Sequence, residues 1–486
     1  MEHSSRRSTP TSYLDGIRGV AALNVTLHHA CLLWFSWSIH EGWGHSEDET
    51  VPRYFVQLPL IRFFIAGQPQ VYLFFIVSGF ALSYKPLKLS RQRRGLEFQK
   101  SMSSAFFRRH SRLFLPVYAW GLLAVTAVWF CGPPGPSDYN AGAVYPLREL
   151  PLARNPDATL LDCLWDWLGY MRGLANPLFI PSDFPYHMVY DSVLWTLPTE
   201  FACSMVTFGI LVALFNLRPW VVTTVLGGLL AYCWKYHCVM MSLFLVGMMA
   251  ADIHLYLDRP TVSKPGPPAW VSPECRELPN DMGEEAILLT GVNLAAASTT
   301  MTTTAPGLAA RWLRMTGPSR FTTVSRDTLS LVAFIMSIHL LGMPDGSRGS
   351  RTTPGFRTIL EYTPSFASHS AETFWIIVGG GMLVLTVDRT PYLQALFNKS
   401  LPQYLGRISY GLYITHGITL WNAAFKLGRM ATDVVQPSTP GQYVFAVTCA
   451  YLVFLPFEIW VSDLPSNVSN AWISRLRGRD DLLSNA

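Results

Sequence analysis

The sequence predicts an all-α membrane protein whose chain crosses the bilayer many times. Only 14% of its 486 residues are charged and 50% are hydrophobic, whereas a soluble protein carries roughly 25% charged residues. The mean hydropathy is positive, at +0.24. A globule of this size could not shield so many apolar side chains from water with so few surface charges. The net charge of +5 is too small to indicate nucleic-acid binding, so the expected environment is the lipid bilayer.

Ten segments are apolar and long enough to be membrane helices, which need about 20 residues each. They are residues 17–38, 66–84, 113–131, 192–215, 219–236, 239–256, 328–345, 372–388, 408–427 and 441–462. If the N-terminus is cytosolic, 26 of the 37 Lys and Arg residues fall on cytosolic segments. This asymmetry agrees with the positive-inside rule, and an even number of helices leaves both termini in the cytosol.

The ten helices divide the chain into a membrane domain and its flanking segments. The predicted parts are a cytosolic tail 1–16, a membrane domain 17–462 with outer loops 39–65 and 132–191 and a cytosolic loop 257–327, and a cytosolic tail 463–486.

Ionisable residues in the first helix indicate a functional site, because such groups are costly inside hydrocarbon. Arg18 and His29 are eleven residues apart, which is three helical turns plus about 20°, so they share one face. Asp15 lies within about 60° of the same stripe, whereas His28 points about 80° away. We therefore expect His29 to be functional, and we interpret His28 as a residue of helix packing.

The fourth predicted helix carries Glu200 at a depth similar to that of His29, and Pro198 is expected to bend the helix beside it. Glu200 has two interpretations: a group that orients His29, or a structural ion pair with an arginine. In the ninth helix His416 follows Tyr410 and Tyr413. For His416, helix packing and a role in the site both stay open, whereas packing is favoured for His339 in the seventh helix.

The segment 85–112 has nine basic residues and one acid, Glu97. Orientation in the membrane and contact with anionic lipid explain most of these charges. Arg109 and Arg112 differ because they share a helical face next to the third apolar segment. Guanidinium groups bind phosphate in a bidentate manner, so this pair predicts a phosphate-rich donor bound from the cytosolic side.

Five blocks of the sequence resemble the acyltransferase 3 family of integral membrane acyltransferases. They are LDGIRGVAALNVTLHH with Arg18 and His29, FFIVSGF with Ser78, FFRRHSRLFLPVY with Arg109 and Arg112, LWTLPTEF with Glu200, and LGRISYGLYITH with Tyr413 and His416. Together they span most of the chain in the family's order. The chain departs from the family at Pro198, where many relatives have a small residue. Its compact form is similar to that of fungal members.

The resemblance implies transfer of an acyl group, which in this family is often acetyl, from acyl-CoA to a hydroxyl of a small molecule or sugar in secondary metabolism. No permanently bound cofactor and no metal are expected. The implied catalytic residues are His29 as base and Glu200; the implied substrate-binding residues are Asp15, Arg18, Ser78, Arg109, Arg112, Tyr413 and His416. In a eukaryote the enzyme would reside in the ER or another endomembrane.

Two other functions fit parts of the sequence. Another multi-pass acyltransferase family uses a buried late histidine, which His416 would match. A proton-coupled secondary transporter would also place His, Glu and Arg at mid-membrane, although the chain lacks the two similar halves expected of many transporters.

Overall fold

The computed structural model describes residues 10–46, 53–131, 155, 157–176, 191–258, 320–344 and 349–484, and these form helices with no strand among them. The helices are α1 (Tyr13–Ile39), α2 (Gly67–Arg91), α3 (Gly95–Cys131), α4 (Leu160–Leu174), α5 (Thr196–Ala213), α6 (Pro219–Lys235), α7 (Val239–Leu257), α8 (Arg320–Leu341), α9 (Phe356–Glu361), α10 (Ala371–Arg389), α11 (Pro391–Phe397), α12 (Ser400–Thr419), α13 (Phe425–Val435) and α14 (Pro440–Ser484). The all-α prediction is confirmed. The chain divides into a large unit, residues 1–255 with 330–486, and a small unit, residues 256–329; the site described below lies in the large unit.

Five helical stretches of the described chain are long and apolar enough to cross a membrane: Tyr13–Ser36, Val193–Ala213, Val239–Leu257, Ser365–Arg389 and Pro440–Pro465. Helices also cover the other five predicted segments, but they are shorter or more polar. Three of them, α2, α3 and α12, contribute polar side chains to one cavity, which lowers their hydropathy. The number of ten membrane helices therefore stays a prediction.

The ends of several helices differ from the predicted ends. The last helix, α14, continues to Ser484 instead of ending near 462, and a π-helical turn at Leu420–Ala424 separates α12 from α13. Most of the predicted cytosolic loop 257–327 and much of the predicted outer loop 132–191 lie outside the described residues.

Helix α4 lies within the segment that we predicted as an outer loop. It packs along α3: the indole of Trp129 donates to the carbonyl of Ala158 before α4, and the ring of His110 is bonded to the carbonyl of Ala175 after it. The sequence did not indicate this helix because Asp162, Asp166 and Arg172 interrupt its apolar residues.

Helices α1 and α12 run in parallel and approach each other very closely. A Cβ atom at Gly19 would lie 2.2 Å from the backbone nitrogen of Gly406, and one at Gly406 would lie 2.1 Å from the carbonyl oxygen of Asp15. Only glycine permits such a backbone approach. Small residues therefore bring the polar stripe of α1 against α12.

Buried polar contacts also connect α1 to other helices of the bundle. The carboxylate of Asp388 in α10 accepts a hydrogen bond of 2.6 Å from the hydroxyl of Tyr13, and it lies 2.6 Å from Nδ1 of His254 in α7. Arg91 of α2 forms an ion pair with Asp252 of α7. These contacts satisfy groups that would be expensive to bury alone.

Candidate active site

A cavity of about 280 Å³ lies among α1, α2, α3, α5 and α12. Its polar lining consists of four arginines, one carboxylate and five hydroxyl groups: Arg18, Arg109, Arg112, Arg407, Glu200, Ser78, Thr196, Ser409, Tyr410 and Tyr413. Apolar residues such as Val25, Phe74 and Leu113 form the rest of the wall. A pocket with four guanidinium groups and one carboxylate has the charge expected of a site for an anionic ligand.

Arg18 is held between α1 and α12 at one end of this cavity. Its Nη2 atom lies 3.0 Å from the carboxylate of Asp15 and donates to the carbonyl of Gly406, and its Nε donates to the hydroxyl of Ser409 over 3.1 Å. The close approach of the two glycine-bearing helices brings these partners within reach. Asp15 thus orients the guanidinium, and it does not line the cavity itself.

Glu200 pairs with Arg109 on another wall. The Nη2 atom of Arg109 lies 2.7 Å from Oε1 of Glu200, and its Nε donates to the hydroxyl of Ser204 over 3.1 Å. The hydroxyl of Ser78 donates to the same carboxylate oxygen over 3.4 Å. The ion-pair interpretation of Glu200 therefore has a definite partner, and the pair lines the cavity.

The prediction that Pro198 bends the helix beside Glu200 is wrong. Helix α5 begins at Thr196 after a 3₁₀ turn at Ser192–Trp195, so Pro198 lies in the first turn. A first-turn residue needs no N–H for the helical ladder, and proline is tolerated there without a kink. Glu200 consequently lies one turn into a regular helix.

His29 contacts His416 across the interface of α1 and α12, and Glu200 forms the ion pair with an arginine instead of orienting His29. Atom Nδ1 of His29 is 3.2 Å from Nε2 of His416, and the ring centroids are 5.0 Å apart. Arg18 and His29 both face α12, as their spacing predicted. Gly19 and His29 are ten residues apart, and so are Gly406 and His416; in parallel helices these equal spacings bring both pairs into contact.

The two histidines lie just beyond the cavity. Val25, one helical turn or about 6 Å before His29, lines it, as does Tyr413, whose ring centroid is 6.2 Å from that of His416. The hydroxyl of Tyr413 donates to the carbonyl of Val193 over 2.6 Å and lies 2.6 Å from the hydroxyl of Thr196. This tyrosine thus connects α12 to the start of α5 between the cavity and the histidines.

The histidines that we interpreted as packing residues make local contacts. Nδ1 of His28 lies 2.7 Å from the carbonyl of Ile65, and its ring leaves no room for a side chain at Gly67. His339 stacks on Phe356 with ring centroids 4.3 Å apart. Neither histidine lines the arginine-lined cavity.

Sequence reasoning missed four polar lining residues: Thr196, Arg407, Ser409 and Tyr410. Arg407 was counted only as a charge that orients the protein in the membrane. One signal was available, since Arg407, Tyr410 and Tyr413 follow each other at three-residue intervals and so share a helical face. Within the described part of the chain, no three His, Cys, Asp or Glu side chains are arranged to bind a metal ion.

The sequence of this helical membrane protein is similar to that of a known enzyme family. Residues 11–265, just over half of the chain, match the family model described as acyltransferase domain, the acyltransferase 3 family. The chain is also 31% identical to the O-acetyltransferase PaAT-1 of Phomopsis amygdali over 476 residues, which cover 95% of this chain and 83% of that protein. No solved structure matches it.

The chain belongs to the acyltransferase 3 family. It is a membrane enzyme, an acyltransferase for groups other than aminoacyl groups.

Proposed function

We propose that the enzyme transfers an acetyl group from acetyl-CoA to a hydroxyl group of a small molecule or sugar in secondary metabolism, at the ER or another endomembrane. The observation that carries the proposal is the cavity with four arginines against one carboxylate. The relative of Phomopsis amygdali is named an O-acetyltransferase, which supports acetyl as the group and oxygen as the acceptor atom. Because the chain belongs to an acyltransferase family, acyl transfer and not transport is the function to test first.

The charge of the cavity suits the phosphate groups of coenzyme A. Arg18 and Arg407 lie two turns or more before His29 and His416 on the parallel helices α1 and α12, so the arginines mark one end of the site and the histidines the other. Arg112 lines the same cavity from α3. In this proposal the phosphates bind at the arginine end, and the pantetheine arm extends along α1 towards the histidines.

The reaction needs a base for the acceptor hydroxyl and stabilisation of the developing oxyanion. We assign the base to His29. The acceptor oxygen attacks the thioester carbonyl and its proton passes to His29. A C–O bond forms, the C–S bond breaks, and the proton then passes from His29 to the departing CoA thiolate. Tyr413, whose ring lies 6.2 Å from that of His416, and its partner Thr196 supply hydroxyl groups towards this end of the cavity.

Glu200 is assigned a supporting role in place of the catalytic one. Its carboxylate neutralises Arg109 and holds that side chain at the wall. Asp15 offsets the charge of Arg18 in the same way, so Arg112 and Arg407 are assigned most of the positive charge for the donor. Asp15 and Ser409 orient Arg18.

The test uses the purified full-length protein in lipid nanodiscs with acetyl-CoA labelled in the acetyl group and a panel of hydroxylated acceptors. The proposal expects a labelled ester that mild alkali cleaves, together with one free CoA thiol for each ester formed. A labelled amide that resists alkali, or no transfer by correctly folded protein to any acceptor of the panel, would contradict it.

A further inference from the structure

The hydrogen bonds of the two buried histidines define which nitrogen of each ring carries a proton. Nδ1 of His416 lies 2.8 Å from the carbonyl oxygen of Leu412, and Nδ1 of His29 lies 3.0 Å from the carbonyl oxygen of Val25. A carbonyl oxygen only accepts hydrogen bonds. Both rings must therefore carry their proton on Nδ1.

The same assignment explains the contact between the two rings. A neutral imidazole has one protonated nitrogen, so Nε2 of His416 is an acceptor. The atom 3.2 Å from it is Nδ1 of His29, which is a donor. The Nδ1–H of His29 is thus shared between the Val25 carbonyl and His416, and Nε2 of His29 keeps its lone pair.

We propose that His416 is the positioning residue of His29. By accepting a hydrogen bond from Nδ1–H it fixes the ring and the tautomer that leave Nε2 of His29 as the base. The inference rests on the proposed function, in which this nitrogen takes the proton of the acceptor hydroxyl. When His29 becomes positively charged, its Nδ1–H bond to His416 becomes charge-assisted and stronger.

A neutral partner suits this depth of the protein. In many hydrolases a carboxylate orients the catalytic histidine, but an unpaired carboxylate within a membrane bundle is costly. The carboxylate that the sequence suggested for this role, Glu200, is already paired with Arg109. His416 is fully buried and supplies the acceptor without a charge.

Helix packing alone would also explain a buried histidine, and the two explanations predict different roles for its two nitrogens. Packing requires only the local bond from Nδ1 of His416 to Leu412, within one turn of α12. Positioning requires the second nitrogen, Nε2, which reaches across to α1. A pair of variants can test the role of each nitrogen separately.

The variants are His416→Asn and His416→Gln, with acetyl transfer by purified protein as the readout. The Asn amide ends near the former Nδ1 and keeps the Leu412 bond, whereas the Gln amide reaches the former Nε2 and offers its oxygen to His29. We expect kcat to fall about 10²-fold for His416→Asn, as for loss of a base, and less than about tenfold for His416→Gln. The KM for acetyl-CoA should stay within about twofold in both, since neither touches the arginines.

A second measurement does not depend on activity. Nitrogen-15 NMR of histidine-labelled protein in bilayers, with the His29 signals assigned by their loss in His29→Ala, reports which nitrogen is protonated. Wild type and His416→Gln should show a protonated Nδ1 and a bare Nε2, and His416→Asn a mixture of tautomers.

A wild-type His29 protonated at Nε2, equal kcat values for the two variants, or a more active His416→Asn would each overturn the inference. Failure of the proposed function looks different: the wild-type tautomer would be as stated, but acetyl-CoA would give no ester.

Discussion

At the scale of single residues, His28 and His29 offer a matched pair of substitutions. His29→Ala should lower acetyl transfer by about 10²-fold or more, because the base is lost. His28→Ala should retain most activity, since His28 faces the Ile65 carbonyl and Gly67 instead of α12. Initial rates of ester formation by the two purified variants check the expectation.

His28→Ala leaves the Ile65 carbonyl without this partner, which costs about 1–3 kcal/mol if the group stays dry. Monodispersity in detergent must therefore be compared first. An inactive but folded His28→Ala beside an active His29→Ala would contradict the assignment of the base.

Among the arginines of the cavity, Arg407 can be tested for binding of the donor. Arg407, which lies over the ring of Tyr404 at 5.3 Å, lines the cavity from α12. Loss of a hydrogen bond to a charged group costs about 1.5–3 kcal/mol, so Arg407→Gln should raise the KM for acetyl-CoA by about tenfold or more, with a smaller change in the acceptor KM. Steady-state kinetics with each substrate varied in turn measure both values.

Arg429 in α13 provides the control for charge alone, because it is exposed and lies outside the cavity lining. Arg429→Gln should leave both KM values unchanged. If the two variants raise the donor KM equally, Arg407 does not bind the donor.

Residue spacing in the sequence predicted Arg109 and Arg112 as an equivalent pair, and both do line the cavity. It could not predict that Glu200, 91 residues after Arg109, forms an ion pair with it, because such a contact depends on the packing of α3 against α5. For the same reason the sequence could not decide between the two interpretations of Glu200: similar depth in the membrane does not determine which helices are neighbours.

At the scale of helices, the contact between α1 and α12 can be tested by adding one methyl group. A Cβ atom at Gly406 would lie 2.1 Å from the carbonyl oxygen of Asp15. Gly406→Ala must therefore separate the helices, at a cost of about 1–3 kcal/mol or more. It should lower the Tm by several degrees and also lower kcat, because Arg18 and His29 lose their register with α12. Thermal unfolding in detergent and acetyl-transfer assays measure the two effects.

Gly209 in α5 is the matched control, since no atom beyond its own neighbours and helical backbone lies within 4 Å of the position of its Cβ. Gly209→Ala should keep full activity and leave the Tm unchanged or slightly higher, as alanine favours the helix. A Gly406→Ala variant with the Tm and kcat of wild type would show that the two helices do not need this close approach.

Helix positions followed from hydropathy, but local irregularities did not. All ten apolar segments contain helix, whereas α4 was missed because its three charges conceal an apolar face that packs on α3. Proline was also misinterpreted at position 198, since its effect depends on where the helix begins, and the 3₁₀ turn before Thr196 sets that point.

At the scale of the whole molecule, the orientation in the membrane rests on the distribution of Lys and Arg and can be tested through glycosylation. Sequons occur at Asn24, Asn398 and Asn467, and Asn398 is exposed just before α12. In the predicted orientation Asn398 and Asn467 are cytosolic, so both should remain unmodified in protein expressed through the ER. Digestion with an endoglycosidase followed by gel electrophoresis should show no change in mobility.

An engineered sequon near Asn140, in the predicted outer loop, serves as the positive control and should be glycosylated. A glycan on Asn398 or Asn467 would contradict the predicted orientation. In the opposite orientation, the arginine end of the cavity would face away from the cytosolic supply of acyl-CoA.

The measurement that tests the function most directly compares two donors, acetyl-CoA and acetyl-pantetheine, which share the thioester but differ in the phosphate-bearing nucleotide. If the arginines bind that nucleotide, kcat/KM should be at least about 10²-fold higher for acetyl-CoA, equivalent to one or two charge-assisted hydrogen bonds. Ester formation with acetyl-CoA and a strong preference for it is the expected result. Equal kcat/KM values for the two donors would contradict the arginine-lined cavity as the binding site for coenzyme A.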